Sequence, residues 1–336
     1  MRRYTVKQKL KSAAAFLIIL IFLPYVVSVF VNGVDVTGNN SGSPFYIRVR
    51  VPDNEEADGV GEVEWTEYLA GILAEEMPKD SEEEALKAQA VLIRTQIYRE
   101  LEESEDKILE ENYLTAEELR KRWGAEEFDT AYKKYVRAIE ETDDTVLLYG
   151  DTYAWTPFHQ SSAGMTRSAA EAMGTDQYPY VAVRECPFDK KAEDEIQVFT
   201  FTCSEIQKLC RDFLVAVADG DRAAMGYSFE DFEITKYDSA GYVSEMRIGE
   251  TVCTGDQFRD ALSLPSGAFS FSEAETADSG DENAVKITTT GKGHGLGMSL
   301  WTARQMAAEG KTYEEILSFF FEGTELRKDI QETELF

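Results

Sequence analysis

The stretch SAAAFLIILIFLPYVVSVFV, Ser12 to Val31, contains no charged residue. As a helix rising about 1.5 Å per residue it reaches roughly 30 Å, the hydrocarbon thickness of a bilayer. Residues 1–11 in front of it hold Arg2, Arg3, Lys7, Lys9 and Lys11 and no acid. Flanking bases stay on the cytoplasmic side. The expectation is a cytoplasmic tail over 1–11, a single-pass anchor in the cell membrane over 12–31, and an extracytoplasmic remainder. A cleaved signal peptide is the competing reading. Against it, the apolar run exceeds the usual ~7–15-residue core and no A-x-A site follows. Pro24 lies inside the run, which membranes tolerate.

The anchor constrains how the charge is read. The 336 residues carry a formal charge of −29. Beyond residue 11 the chain sets 29 bases against 63 acids. That surface repels phosphate backbones, and no basic stripe offsets it, so nucleic acid is excluded as a partner. It also repels an anionic cell wall unless the binding groove is locally neutral. Hydrophobic residues at 43 % supply a core for one large domain or two smaller ones. Cys186, Cys203, Cys210 and Cys253 all lie beyond the anchor. They allow two disulfides in any of three pairings, or four buried free thiols. Zinc calls for closely paired cysteines near histidines. Here the closest pair, Cys203 and Cys210, is seven apart, and His159 and His294 are the only histidines. No metal and no cofactor is expected.

A polar Gly/Asn/Ser stretch follows the anchor, so 32–62 reads as a linker, with FYIRVRVP as an edge strand within it. From Val63 the pattern is helical, with Tyr68, Leu69, Ile72 and Leu73 on one face. Met77-Pro78 stops that helix. Ser81 with Glu84 reads as a capping box for a second helix, whose inner stripe is Ala85, Ala88, Val91, Leu92 and Thr95. Thr115 with Glu118 repeats the signal, and residues 127–141 form a fourth helix. TVLLYGDTYAWTPFHQ reads as a hairpin about Gly150-Asp151. QVFTFTC, FEITKYD, YVSEMRI and NAVKITTTG read as strands, and the C-terminal segment returns to helix with a break at Gly310. The expected class is α+β: a helical N-terminal part, a mostly β middle and a helical C-terminus, preceded by one transmembrane helix.

Three stretches are denser in chemistry-bearing residues than the rest. They are AEEMP, FHQSSAGMTRSA (Phe158–Ala169) and GKGHGLGMS (Gly291–Ser299). Glycines at the density of the third let a ligand approach the backbone. Neither a P-loop nor a G-x-S-x-G pattern is present. From the residues alone, each histidine reads as a satisfied turn or core residue, and Glu75 and Glu76 read as solvated surface charges.

Taken together, the three stretches resemble the SpoIID/LytB family of bacterial cell-wall proteins. EYLAGILAEEMPKDSEEEALKAQAVLIRTQIY is similar to the family's opening Glu-Met-Pro and Lys-Ala-Gln-Ala signature. PFHQSSAGMTRSAAEAMGTDQYPYVAVRECPFD is similar to its His-Ser-x-x-Gly-x-Thr segment, which runs on to a Pro-aromatic-Asp. GKGHGLGMSLWTARQMAAEGKTYEEILSFFFEGTEL is similar to its closing Gly-His-Gly-Val-Gly-Met-Ser segment. The resemblance covers residues 63–326 and leaves 327–336 as a tail. Two departures stand out. Leu300, Trp301 and Thr302 follow Met-Ser where the family usually has Gln, Tyr and Gly, and Cys186 sits where it often has Ser.

The resemblance implies a lytic transglycosylase acting on peptidoglycan strands stripped of stem peptides, in the engulfment step of sporulation. Glu76, of the Glu-Met-Pro motif, is implied as the general acid and base. One carboxyl suffices because the muramyl 6-hydroxyl attacks its own anomeric carbon, whereas a hydrolase needs a second carboxylate. Acting as an acid near neutral pH calls for an apolar setting. His159, Ser161, Ser162, Thr166, His294 and Ser299 are the candidate substrate-binding residues. The implied partners are glycan strands and an amidase or endopeptidase at the membrane. The alternative is a non-catalytic wall-binding enhancer of an amidase.

Overall fold

A computed structural model describes residues 45–50, 59–109, 113–192, 195–214, 226–274 and 284–328. The tail 1–11, the apolar run 12–31 and residues 329–336 lie outside the described residues. Among the described residues no helix is long and apolar enough to cross a membrane. The chain divides after Phe45, and every element below belongs to the unit from Tyr46 on.

β1 (Tyr46–Arg50) was expected at a sheet edge. It lies instead between antiparallel β2 (Val60–Glu64) and parallel β3 (Ile108–Leu109). Alternation in the sequence buries Ile47 and Val49, but it does not say how many neighbours a strand has. β1 falls within the stretch 32–62 read as linker and β2 begins there, so ordered structure starts before residue 63.

α1 (Trp65–Glu76) begins where the Glu64 carboxylate accepts from the Glu67 N–H at 2.7 Å. It ends because Pro78 forces Met77 into an extended conformation, φ −117° and ψ 131°. α2 (Glu83–Glu103) buries the whole expected stripe from Ala85 to Thr95. The expected capping box at its head does not form. Glu84 instead pairs with Lys87 and accepts from the backbone N–H of Tyr313, tertiary partners that outcompete the local one. α3 (Ala116–Trp123) does open on the Thr115–Glu118 box, and α4 (Ala125–Glu141) packs across α1 and α2. Arg94 is buried in α2 and donates to the carbonyls of Ile139 and Thr145. The Ile139 carbonyl is one left over at the C-terminal end of α4, and the Thr145 carbonyl opens β4.

β4 (Thr145–Tyr149) and β5 (Thr152–Tyr153) form the expected hairpin about Gly150, whose φ is +64°. β6 (Phe158–His159) and α5 (Ala169–Met173) lead to the β-rich middle. This comprises β7 (Ile196–Thr202), α6 (Cys203–Leu209), β8 (Phe232–Tyr237), β9 (Val243–Ile248), β10 (Thr251–Cys253), α7 (Gly255–Leu262), β11 (Phe269–Glu273) and β12 (Ala284–Thr290). One sheet has the order β11-β12-β7, and a second has β10-β9-β8. Phe258, Phe269, Met246, Ile248 and Ile287 fill the core they share. Burying a side chain of that size contributes about 1.5–3 kcal/mol.

β13 (Met298–Ser299) pairs with β6 in parallel and runs straight into α8 (Leu300–Ala308). α9 (Tyr313–Phe320) opens on a Thr312–Glu315 capping box after the break at Gly310. β14 (Glu325–Lys328) closes on the free edge of β4. The α+β class holds, and the C-terminal helices return to pack on α2.

Candidate active site

The three chemistry-rich stretches meet. Glu76 ends α1, and its carbonyl accepts from Gln160 Nε2 at 3.3 Å. The Gln160 carbonyl in turn accepts from the Trp301 N–H at 3.0 Å. One residue on, the Met77 carbonyl accepts from Tyr135 Oη at 2.8 Å. The turn behind the glutamate is therefore pinned from both sides. The second and third stretches are interwoven: Ser299 pairs with His159, Ser161 with Lys292, and Arg167 with Leu296.

A cleft of about 330 Å³ opens beside this junction. Glu76 and His294 line it together with Gln96, Glu100, Trp155 and Phe158, and Ile72, Ile93, Ile97 and Pro157 make its wall apolar. Glu76 is half-buried, whereas Glu75 is exposed and absent from the lining. At about 100° per residue, Glu76 falls about 40° from Ile72, which lines the same cleft.

Leu296 fixes both histidines. Its carbonyl accepts from His159 Nδ1 at 3.0 Å, and its N–H donates to His294 Nδ1 at 3.0 Å. The rings lie 5.8 Å apart, centroid to centroid. Burial, with His294 adjacent, pushes the His159 imidazole down to about 3. Burial, with Arg259 and Arg167 near, pushes His294 down to about 4. Both are neutral at physiological pH and serve as fixed hydrogen-bonding groups.

A folded state that resists protonating its histidines loses stability as pH falls below the unfolded value near 6.5. The loss continues down to about 4 for His294 and about 3 for His159. Urea denaturation between pH 6.5 and 4 is expected to show a slope shallower in His159→Phe than in wild type, by up to about 1.4 kcal/mol per pH unit. Equal slopes would refute the assignment.

The candidate hydroxyl residues lie beside the histidines but face inward. Ser161, Ser162, Thr166 and Ser299 are all buried. Thr166 Oγ1 donates to the Ala182 carbonyl and accepts from the Arg184 N–H. Ser162 Oγ accepts from the Gly164 N–H. Ser299 Oγ caps α8 and donates to Asp189 at 2.8 Å. Asp189, fully buried, is the hub of this arrangement. It also takes the Ser162 N–H at 2.6 Å and Thr302 Oγ1 at 2.6 Å. Its carboxylate ties the 158–169 loop to the 291–299 loop.

The glycines serve this loop-to-loop packing, not the approach of a ligand. Gly297 has φ +70°, and a Cβ there would sit 1.9 Å from the Pro157 carbonyl oxygen. Gly293 has φ +121°, and its Cβ would meet that of His159 at 2.5 Å. Gly297→Ala is expected to lower stability by about 3 kcal/mol or more, because it combines backbone strain with a clash against main chain. Chemical denaturation measures it, and a loss under 1 kcal/mol, the order of one ordinary surface change, would contradict this packing.

Residues 53–149 match the family described as SpoIID, stage II sporulation protein. Stage II sporulation protein D of Bacillus subtilis strain 168 is 32 % identical over 271 residues, covering 77 % of this chain and 73 % of that protein. The chain belongs to the SpoIID family. Stage II sporulation protein D of Bacillus amyloliquefaciens is 29 % identical over 271 residues, with the same shares of 77 % and 73 %. An uncharacterised protein of Brachyspira hyodysenteriae is 27 % identical over 283 residues, covering 82 % of this chain and 70 % of that one.

Within this SpoIID chain, Leu300 and Thr302 are both buried, and Thr302 holds Asp189. Neither side chain lines the cleft. Cys186 is buried beneath the same loops, and burial beside Asp189 pushes its thiol up to about 12. All four cysteines are free and buried, so neither disulfide allowed by the sequence forms. Among the described residues no group of three or more His, Cys, Asp or Glu is placed to hold a metal ion.

Arg167 was not singled out from the sequence. At 2 % exposure it donates to Asp238 at 2.8 Å, to both oxygens of Asp256 at 3.0 Å and to the His294 carbonyl at 3.3 Å. It positions the His294 loop from the side of the β-rich part. A lone arginine among polar loop residues gives no sequence signal for that role.

Proposed function

We propose that this SpoIID-family protein is a membrane-anchored lytic transglycosylase of sporulation, cleaving MurNAc–GlcNAc bonds of denuded peptidoglycan strands. The observation that carries the reading is the half-buried Glu76 on an apolar cleft wall, on a pinned helix end, facing the same space as His294. Its relatives named stage II sporulation protein D support the sporulation setting. The uncharged run Ser12–Val31 supports the anchor.

In this reading the Glu76 carboxyl protonates the glycosidic oxygen as the bond to the muramyl C1 breaks. The GlcNAc leaves with a free 4-hydroxyl. The muramyl 6-hydroxyl then attacks C1 and gives its proton to the Glu76 carboxylate, leaving a 1,6-anhydro ring and restoring the acid. No water is consumed. The apolar wall from Ile72 to Phe158 limits water beside the carboxyl, as a mechanism without a water nucleophile calls for. His294, neutral and held between the Leu296 N–H and the Phe158 backbone, fixes the wall of the cleft that it lines. The 158–169 and 291–299 loops shape the cleft through their backbone, while their hydroxyls hold the loops together. A partner amidase or endopeptidase that removes stem peptides fits the substrate.

Glu100 lines the same cleft, which raises hydrolysis as a second reading, with two carboxylates and an activated water. Mass spectrometry of the products from denuded strands separates the readings. Anhydro-muramyl ends are expected. Reducing ends lost in Glu100→Gln would establish hydrolysis, and intact strands would leave a wall-binding protein.

A further inference from the structure

We infer that a second groove, on the outer face of the β11-β12-β7 sheet, binds a further stretch of the glycan strand that occupies the Glu76 cleft. This rests on the glycan reading proposed above and adds a site to it. The groove, about 300 Å³, shares no lining residue with the cleft. Tyr237, Ala240, Gly241, Ser270, Thr288 and Thr290 line it.

Three observations point to sugar. The first is charge. The formal charge of the chain is −29, yet among the described residues no carboxylate and no ammonium lines this groove. Muramyl sugars carry lactyl carboxylates, so an acidic chain needs a neutral track to hold such a polymer. The second is the lining itself. Strand register sets Ser270 beside Thr288, and the alternating pattern brings Thr290 to the same side. These hydroxyls both donate and accept, as N-acetyl and hydroxyl groups require. Tyr237 is 51 % exposed and presents a ring of the kind that packs on the apolar C–H face of a sugar. Ile196 and Val198, also exposed, extend that face through their pairing with Thr290 and Thr288.

The third is preorganisation. Tyr237 precedes a turn that Asp238 holds rigid by accepting from the N–H groups of Ala240 and Tyr242. Asp238 is itself clamped by Arg167, the residue that positions the His294 loop. A ring on a fixed turn binds at little ordering cost. The two sites also lie close along the chain. Phe158 lines the cleft and Ala163 lines the groove, and five residues of backbone reach at most about 18 Å. A strand of several sugars spans both, so the groove keeps the protein on one polymer near its point of cleavage.

The test uses the full-length chain in detergent, carrying Glu76→Gln so that strands stay whole. It is titrated with labelled long denuded strands and with a tetrasaccharide of the same repeat. Tyr237→Ala is expected to weaken long-strand binding roughly tenfold. Thr288→Asp, which places a charge in the groove, is expected to do so at least as much. In both, the preference for long over short glycan collapses. Unchanged long-strand affinity in both variants, or no long-strand binding by the parent, overturns the proposal. The cleavage reading fails separately. A wild-type chain that binds strands through Tyr237 yet makes no anhydro ends retains the groove and loses the transglycosylase.

Discussion

Glu76→Gln is expected to lower the formation of anhydro-muramyl ends by about 10²–10⁴-fold, the usual contribution of a positioned acid and base. The amide keeps the shape of the side chain but cannot give up a proton to the leaving oxygen. Glu75→Gln is expected to leave the rate within about twofold, as for a surface change away from the site. The pair is a sharp control because the residues are adjacent, identical in side chain and different in the space they face. Single-turnover assays on purified denuded strands, read by mass spectrometry, measure both. Equal losses in the two variants would mean that the general negative field acts, not one carboxyl. An unaffected Glu76→Gln would remove the mechanism altogether.

The largest effect on stability is expected at Asp189. Replacing it by Leu leaves the Ser162 N–H, Ser299 Oγ and Thr302 Oγ1 without their shared acceptor inside the protein. Hydrogen bonds to a charged group are worth about 1.5–3 kcal/mol each, and they do not add fully, so a loss of about 3–5 kcal/mol is expected. That corresponds to a fall in Tm of roughly 10 °C. Asp189→Asn is expected to cost less, because one carbonyl oxygen remains to accept. The same variants are expected to lose activity, since the hub ties both loops that border the cleft. Melting curves and glycan cutting on the same samples test the two consequences together. A Leu variant as stable as wild type would show that the hub holds nothing.

Much of the local structure was legible because its causes are local. Pro78 ends α1, Thr115 caps α3 through a side chain three residues away, and Gly150 turns the hairpin. The side on which Glu76 falls was not legible: from the residues alone it reads as a solvated charge like Glu75, and only the fold sets it on the cleft. The failures share a different cause. Glu84 was read as a cap, but Tyr313, 229 residues away, claims its carboxylate. The serines and threonines of the 158–169 loop read as sugar contacts, yet their partners are internal. The glycines read as room for a ligand and are room for another loop.

The sequence by itself determined that α1 stops before Pro78, that α3 opens on Thr115, and that Ser12–Val31 is long and apolar enough to span a bilayer. These follow from properties of neighbouring residues, which act within a turn or two of the chain. Only the tertiary structure decided that Asp189 joins the two loops, that Arg167 holds the His294 loop, and that a neutral groove lies on the outer sheet face. Each depends on contacts between residues about a hundred positions apart, as with Ser299 and Asp189 at a separation of 110. No local propensity encodes which distant donor a buried carboxylate will meet.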